Sequence, residues 1–422
     1  MAEKIRKPLP KIGAWPLWLG FLGLLLLGGL AAGLLVFWKG LAITNLTDMV
    51  PWGLWITLDL SSISLSAGAF SLCAGVYLFG LKRFTPIART ATFVGLIGYT
   101  MAMLALILDI GRPDRFWHAL VYWNTHSLLW EVTMCVMLYL TVLVLEAMPI
   151  FATWEWLRKR FPKLAQKMEH VHHYAPILAI VGLGLSSLHQ SSLGATYGVI
   201  KARPFWFKPE LSVLFMFSAL VGGIALTLFL SMLSARLTNK AKTNDALIER
   251  VAQFVGYLLI GYFYFRAWDA LSVTYTYDPG RNEGLHLTTG GPLSFNFWVM
   301  EMLLGIVIPM ILLLWTRTRT DPFWRMLALL LVAIGVVVYR WDTNISGLLV
   351  VMPYVQNAAI SYTSYRPSLV EWIAALGILG YGMAAFSLGV RYLRVVDHRL
   401  AGEAHETVKI EALAVAAERS AA

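Results

Sequence analysis

Ten predominantly apolar runs alternate with short polar or aromatic stretches along this 422-residue chain, at about residues 15–38, 52–81, 88–109, 126–150, 173–196, 210–235, 251–275, 294–316, 323–341 and 368–392. A bilayer core is about 30 Å thick and a helix rises 1.5 Å per residue, so each run is long enough to cross a membrane. The pattern predicts an all-α integral membrane fold of about ten transmembrane helices. Trp15 to Trp38 is too long for the apolar part of a signal peptide, and no A-x-A cleavage site follows it, so it reads as a retained span. Span 1 has no polar residue in its core, and span 10 is largely apolar after Glu371. Spans 2–9 carry the polar residues. Two four-helix bundles (spans 2–5 and 6–9) flanked by two peripheral helices are therefore expected. The chain divides into a basic N-terminus (1–14), a polytopic membrane domain (15–392) and a C-terminal tail (393–422). Leu400 to Ala422 is rich in Ala and Glu, which suits a cytoplasmic helix or a disordered tail.

Composition and charge sharpen the picture. The chain is 58% hydrophobic and only 14% charged, against about 25% charged in soluble domains. Most of its 34 Lys and Arg residues fall in the N-terminus and in the connections after spans 2, 4, 6, 8 and 10, as in Lys82-Arg83 and Arg158-Lys159-Arg160. The other connections are aromatic and rich in Gly and Pro. The positive-inside rule then places both termini in the cytoplasm and the aromatic loops outside, in the periplasm of a bacterial inner membrane. The same rule accounts for the net charge of +10 without invoking nucleic acid. Cys73 and Cys135 lie inside apolar runs. Two cysteines cannot build a zinc or iron–sulfur site alone, and they read as small core residues.

Ionisable groups within spans are costly and by default functional. They are Asp59 in span 2, Asp109 closing span 3, Glu131 in span 4, His189 in span 5, Arg266 and Asp269 in span 7, Glu301 in span 8, and Arg340 with Asp342 ending span 9. All fall in the outer half, and the inner half has almost none. A proton path across the membrane needs polar groups at every depth, whereas a pocket opening outward needs them on one side. Carboxylates and histidine beside arginines can exchange protons near neutral pH, as the carbonyl oxygens of a quinone require on reduction. Structural alternatives stand beside this. Asp109 could pair with Arg112 or Arg115, His189 could bond a neighbouring serine, and Asp59 and Glu301 could hold helices together. The His170, His172, His173 group reads as part of a basic loop rather than a metal site. A haem-b site needs two facing histidines at one depth, and only His189 lies within a span. A secondary transporter would show broken helices and an inverted repeat, and neither is visible.

Asp109-Ile110-Gly111-Arg112-Pro113-Asp114-Arg115-Phe116-Trp117-His118 resembles the D-x-G-R-P-x-R-x-x-H signature of the NrfD/PsrC family, the quinone-interacting membrane subunits of bacterial respiratory complexes. Pro51-Trp52-Gly53-Leu54-Trp55-Ile56, Ser127-Leu128-Leu129-Trp130-Glu131 and Leu188-His189-Gln190-Ser191-Ser192 resemble its ten-span HybB branch, in the same order and at similar spacing. HybB is the membrane subunit of periplasmic nickel–iron hydrogenases. Related ten-span subunits occur in menaquinone reductase complexes and alternative complex III, and Arg112-Pro113-Asp114-Arg115 is closer to the NrfD and alternative complex III pattern. The resemblance implies a membrane subunit that binds menaquinone or ubiquinone near the periplasmic face, with no haem or iron–sulfur cluster of its own. It implies two partners: a periplasmic ferredoxin-like iron–sulfur subunit, and a catalytic subunit that is a hydrogenase, a molybdopterin enzyme or a multihaem cytochrome. On this reading Asp109, Glu131 and His189 exchange protons and touch the headgroup. Arg112 orients Asp109 or polarises a quinone oxygen, and His126, Arg266 and Trp268 line the same outer corner. The rival functions are a proton-translocating subunit with Asp59 and Glu301 as inner relay, a haem-b subunit, and a plain membrane anchor.

Overall fold

The computed structural model describes residues 14–77, 80–275, 277–353 and 359–398. The basic segment Met1 to Lys11 and the tail from Leu400 onward lie outside the described residues. Ten long helices follow one another: α1 (Ala14–Lys39), α2 (Leu54–Tyr77), α3 (Thr85–Asp109), α4 (Leu128–Phe151), α5 (Ala175–Gly198), α6 (Glu210–Leu237), α7 (Asp245–Tyr275), α8 (Asn296–Leu314), α9 (Pro322–Leu349) and α10 (Leu369–Tyr392). Each is long and apolar enough to span a bilayer. Their starts are written in local chemistry. Ser127 accepts from the Trp130 amide to open α4, Asp321 accepts from Phe323 and Trp324 to open α9, and Ser368 with Glu371 forms a capping box on α10. Proline stands in the first turn of α3, α5 and α9, where its missing N–H costs nothing.

Helix α2 is the central post and packs on α3, α5, α6 and α9. Helices α3, α4 and α5 continue from it, α4 lying against both α3 and α5. Helix α6 packs on α5, α7 and α9, and α8 lies between α7 and α9. Helices α1 and α10 pack mainly on each other, with α10 also against α2 and α3. Helices in lipid gain little from burying apolar surface, so close approach of backbones carries the packing. Gly29 meets Gly377 and Gly305 meets Gly335 backbone to backbone, and a Cβ on Gly68 would collide with the Ala219 carbonyl.

Two element ends differ from the hydropathy reading. Helix α9 continues eight residues past 341, to Leu349. Arg340, Asp342, Asn344 and Ser346 looked like a membrane boundary, but they are buried against neighbouring helices, so the helix runs on around them. Helix α7 begins at Asp245, because Asp245 and Glu249 pair with Arg325 and Arg319 at the start of α9 and just before it. In α8, residues Asn296–Val307 wind as a π-helix.

The end of the bundle opposite Asp109 also holds a carboxylate within a span. Glu146 sits five residues before the end of α4, at the opposite end of the bundle from Asp109.

Candidate functional site

At the end of α3, Gly111 adopts φ +71°, a conformation glycine reaches without strain, and turns the chain off the helix axis. This leaves Asp109 half-buried, its Oδ1 enclosed and without a hydrogen-bond partner among the described residues. Arg112 does not hold it. Its guanidinium binds Asp114 through Nε at 3.1 Å and Nη2 at 3.0 Å, with both groups exposed. That hydrogen bond holds the Asp114 carboxyl below its ordinary range. Neither the expected orienting role of Arg112 nor the alternative Asp109–Arg112 pair is therefore formed. The adjacent Pro113 turn brings Asp114 round to the guanidinium instead. Asp109 is within electrostatic reach of Asp59 and Glu371. Glu371 is a knot: its carboxylate accepts from the Asn45 and Ser368 amides at 3.0 and 2.8 Å and from the Tyr365 hydroxyl.

Deeper in, polar groups from five helices meet. Asp59 on α2 is buried, with Oδ1 unpartnered among the described residues. Asn344 on α9 donates to the Trp52 and Gly53 carbonyls and to Thr57, and accepts from Tyr197 at 2.9 Å. Below this lies Arg340, 0% exposed, which donates through Nη2 to the Phe215 carbonyl (2.8 Å), Ser218 (3.0 Å), Ser64 (3.2 Å) and Gln190 Oε1 (3.3 Å). Its guanidinium stacks on the Phe215 ring at 3.6 Å. No carboxylate pairs with it among the described residues, and its Nε and Nη1 are unpartnered there. His189 is equally enclosed, and its Nδ1 shares a hydrogen bond with the Tyr99 hydroxyl. With Tyr99 as donor, a neutral His189 carries its proton on Nε2, which has no partner among the described residues. The Gln190 amide nitrogen is likewise open. His189 and Arg340 each stand nine residues from the outer end of their helix, about 13 Å down at 1.5 Å per residue. They therefore sit well inside the bundle, below the level of Asp109.

Glu131 is one helical turn above His189. Ser192 donates to its Oε1 at 2.7 Å, and Ser192 follows His189 by three residues on α5. His126 is exposed in the loop before α4. Arg266 and Trp268 do not line this corner. Helix α7, which carries them, packs mainly on α6 and α8, and Trp268 is exposed on its surface. Arg266 belongs to a second buried network, where it grips Glu301 with two bonds (2.6 and 3.1 Å) and Asp269 at 2.5 Å, while Lys208 also binds Asp269. A cavity of about 30 Å³, the size of one water, adjoins this network and is lined by Lys208, Asp269 and Asp342. Tyr339 separates the two networks, with Arg266 4.9 Å and Arg340 5.5 Å from its ring centroid.

Sequence reasoning counted Arg340 among the ionisable groups within spans without giving it a role, and it passed over Tyr99, Asn344 and Glu146. Glu146, a lone carboxylate in the apolar run Leu145-Glu146-Ala147, was detectable by the rule that flagged the others. Tyr99 carries no formal charge and gave no such signal.

Residues 42–352 match the family described as polysulphide reductase, NrfD, and the chain belongs to that family. The match runs from just before α2 to the end of α9, so α1 and α10 lie outside it. The chain is 31% identical to the menaquinone reductase integral membrane subunit of Nitratidesulfovibrio vulgaris, over 90% of this chain and 91% of that one. It is 28% identical to a selenate reductase subunit of Mesobacillus selenatarsenatis (87% and 91% covered). With a probable Ni/Fe-hydrogenase 2 b-type cytochrome subunit of Escherichia coli it shares 24% identity (86% and 87% covered).

Proposed function

We propose that this chain is the membrane subunit of a respiratory oxidoreductase complex and binds a quinone among the polar groups that lie between Asp109 and His189. The observation that carries the reading is the set of unpartnered buried donors around one histidine: His189 Nε2, Gln190 Nε2, and the Nε and Nη1 of Arg340. Burying such groups without partners is costly, and a carbonyl oxygen is the acceptor that would satisfy them. The relatives' names point the same way, since one is a menaquinone reductase subunit and others belong to selenate reductase and hydrogenase complexes.

A bound quinone supplies a carrier of two electrons and two protons. This chain's residues do the rest. His189 and Arg340 would hold one carbonyl oxygen, and Tyr99, as donor to Nδ1, would fix the tautomer of His189. Glu131, steadied by Ser192, and Asp109 would move protons toward the Asp109 face. Arg112, exposed with Asp114, and His126 sit at the rim, where they would meet a partner or the lipid surface. Electrons would come from or go to an iron–sulfur subunit docked on this face, in turn wired to a catalytic subunit. The lysine and arginine distribution supports a periplasmic placement of this face in a bacterial inner membrane. The Arg266–Glu301–Asp269–Lys208 network reads as structural, because every carboxylate in it is already paired. Replacing His189 with Ala and Glu131 with Gln should each lower quinone turnover of the assembled complex about 100-fold, the size of a lost proton-transfer group. Unchanged turnover and unchanged quinone-analogue affinity in both variants would sink the assignment.

A further inference from the structure

The connection between α4 and α5, at the end of the bundle opposite Asp109, has no part in the proposed quinone site. It is built as two short helices, Glu155–Arg160 and Pro162–His170, and one further turn, Val171–Tyr174. Arg158 staples it to the end of α4. Its Nε donates to the Ala152 carbonyl at 2.8 Å, and its guanidinium pairs with Glu169 on the second short helix. That second helix also packs on α4 and is amphipathic. At about 3.6 residues per turn, the buried Ala165 and half-buried Met168 share one face, and the exposed Lys163, Lys167 and His170 share the other.

Large aromatic side chains stand exposed beside these cations. Trp154 and Trp156 lie with ring centroids 5.0 Å apart, Trp156 and Phe161 with centroids 6.0 Å apart, and the Arg160 guanidinium is 5.8 Å from the Phe161 ring. Leu164 is exposed as well, and so are Tyr174 and Ile177, where α5 begins. Grouped exposed apolar side chains mark an interaction surface. Several other basic side chains at this end of the bundle are committed within the protein: Arg319 to Glu249, Arg325 to Asp245, and Lys240 to the Arg391 carbonyl. Lys159, Arg160, Lys163 and Lys167 are exposed and make no ion pair among the described residues. The connection holds only two carboxylates, Glu155 and Glu169, and Arg158 already occupies the second.

We infer that the α4–α5 connection is a binding surface for anionic phospholipid. It lies in the headgroup layer, with Trp156, Phe161 and Leu164 against the upper acyl chains and Lys159, Arg160, Lys163 and Lys167 on the phosphodiester groups. The occupant is lipid rather than a soluble protein, because the aromatic patch stands at the ends of two spans, where rings and cations meet headgroups, and because exposed apolar side chains carry on along α5 through Ile177, Ile180 and Val181. Each basic residue close to an anionic surface strengthens binding about five-fold, and salt screens the effect. The inference does not depend on the quinone reading.

The test uses the assembled complex in phosphatidylcholine bilayers containing a trace of photoreactive phosphatidylglycerol or, in a parallel sample, photoreactive phosphatidylcholine. After irradiation, label on the peptides covering residues 152–177 is measured by mass spectrometry. Wild type should take up phosphatidylglycerol over phosphatidylcholine at a ratio of at least about five, the effect of one fully engaged basic residue, and high salt should lower the ratio. Lys159→Gln, Arg160→Gln, Lys163→Gln and Lys167→Gln combined should bring the ratio to about one; these side chains are exposed, so the variant should assemble as wild type does. Lys82→Gln with Arg83→Gln, in the connection between α2 and α3, should leave the ratio near wild type. A wild-type ratio near one, or a ratio unchanged in the four-residue variant, would overturn the inference. An equal loss in the Lys82 and Arg83 variant would overturn it too, by making the preference a property of the whole face. No labelling by either lipid, with residues 152–177 shielded by another subunit, would make the surface a protein interface instead.

Discussion

Arg340 decides how the centre of the molecule is understood. Among the described residues no carboxylate pairs with this buried guanidinium, and it is held by one carbonyl, two hydroxyls, one amide and an aromatic face. Removing such a group relieves a desolvation cost as well as breaking hydrogen bonds, so Arg340→Met should change thermal stability by only about 1–2 kcal/mol. Quinone-analogue affinity should instead fall about 100-fold, since the cation facing the carbonyl oxygen is gone. A variant that unfolds while analogue affinity persists in the folded fraction would mean that Arg340 is packing alone. Glu301 makes the opposite case. It is gripped twice by Arg266, so Glu301→Gln should cost about 3–5 kcal/mol of stability by leaving a buried cation short of its partner. Its turnover per folded complex should stay near wild type, and a specific loss of proton uptake would return Glu301 to the relay. The sequence marks Asp59, Asp109, Glu131 and His189 because a charge inside an apolar run is visible in one dimension. It does not show which of them share partners. Arg112 binds Asp114 rather than Asp109, and Arg266 binds Glu301 as well as Asp269, because loop and helix geometry choose among the candidate partners.

Hydropathy gives all ten helices, and it misplaces ends where polar residues are buried by neighbours instead of by water. Helix α9 is the example: Arg340 to Ser346 look like an exit from the membrane until α2, α5 and α6 are seen around them. Helix pairing is less legible, because it depends on which glycines meet. Gly29 and Gly377 touch backbone to backbone and dock α1 onto α10, outside the residues matched by the family. Gly377→Val should therefore force the pair apart and lower the melting temperature, by an amount equivalent to about 1–3 kcal/mol of overpacking. Quinone turnover should hardly change, because neither helix contributes to the His189 cluster. A turnover loss matching His189→Ala would tie the outer pair to the site.

At the scale of the whole molecule, buried polar groups gather between Asp109 and His189, and a cavity of about 100 Å³ lined by Glu146 lies at the other end of α4. The one-sided placement of ionisable groups within the spans pointed to an outward pocket, and Glu146, at the opposite end of α4, was passed over. The central claim is the place of the quinone, and photolabelling tests it most directly. A photoreactive menaquinone analogue, irradiated on the purified complex and mapped by peptide mass spectrometry, should label α3, α5 and the start of α4, around Tyr99, Glu131 and His189. Excess unlabelled quinone should suppress that labelling. Quinone-competed label confined to α7 and α8, around Arg266 and Glu301, would contradict the account.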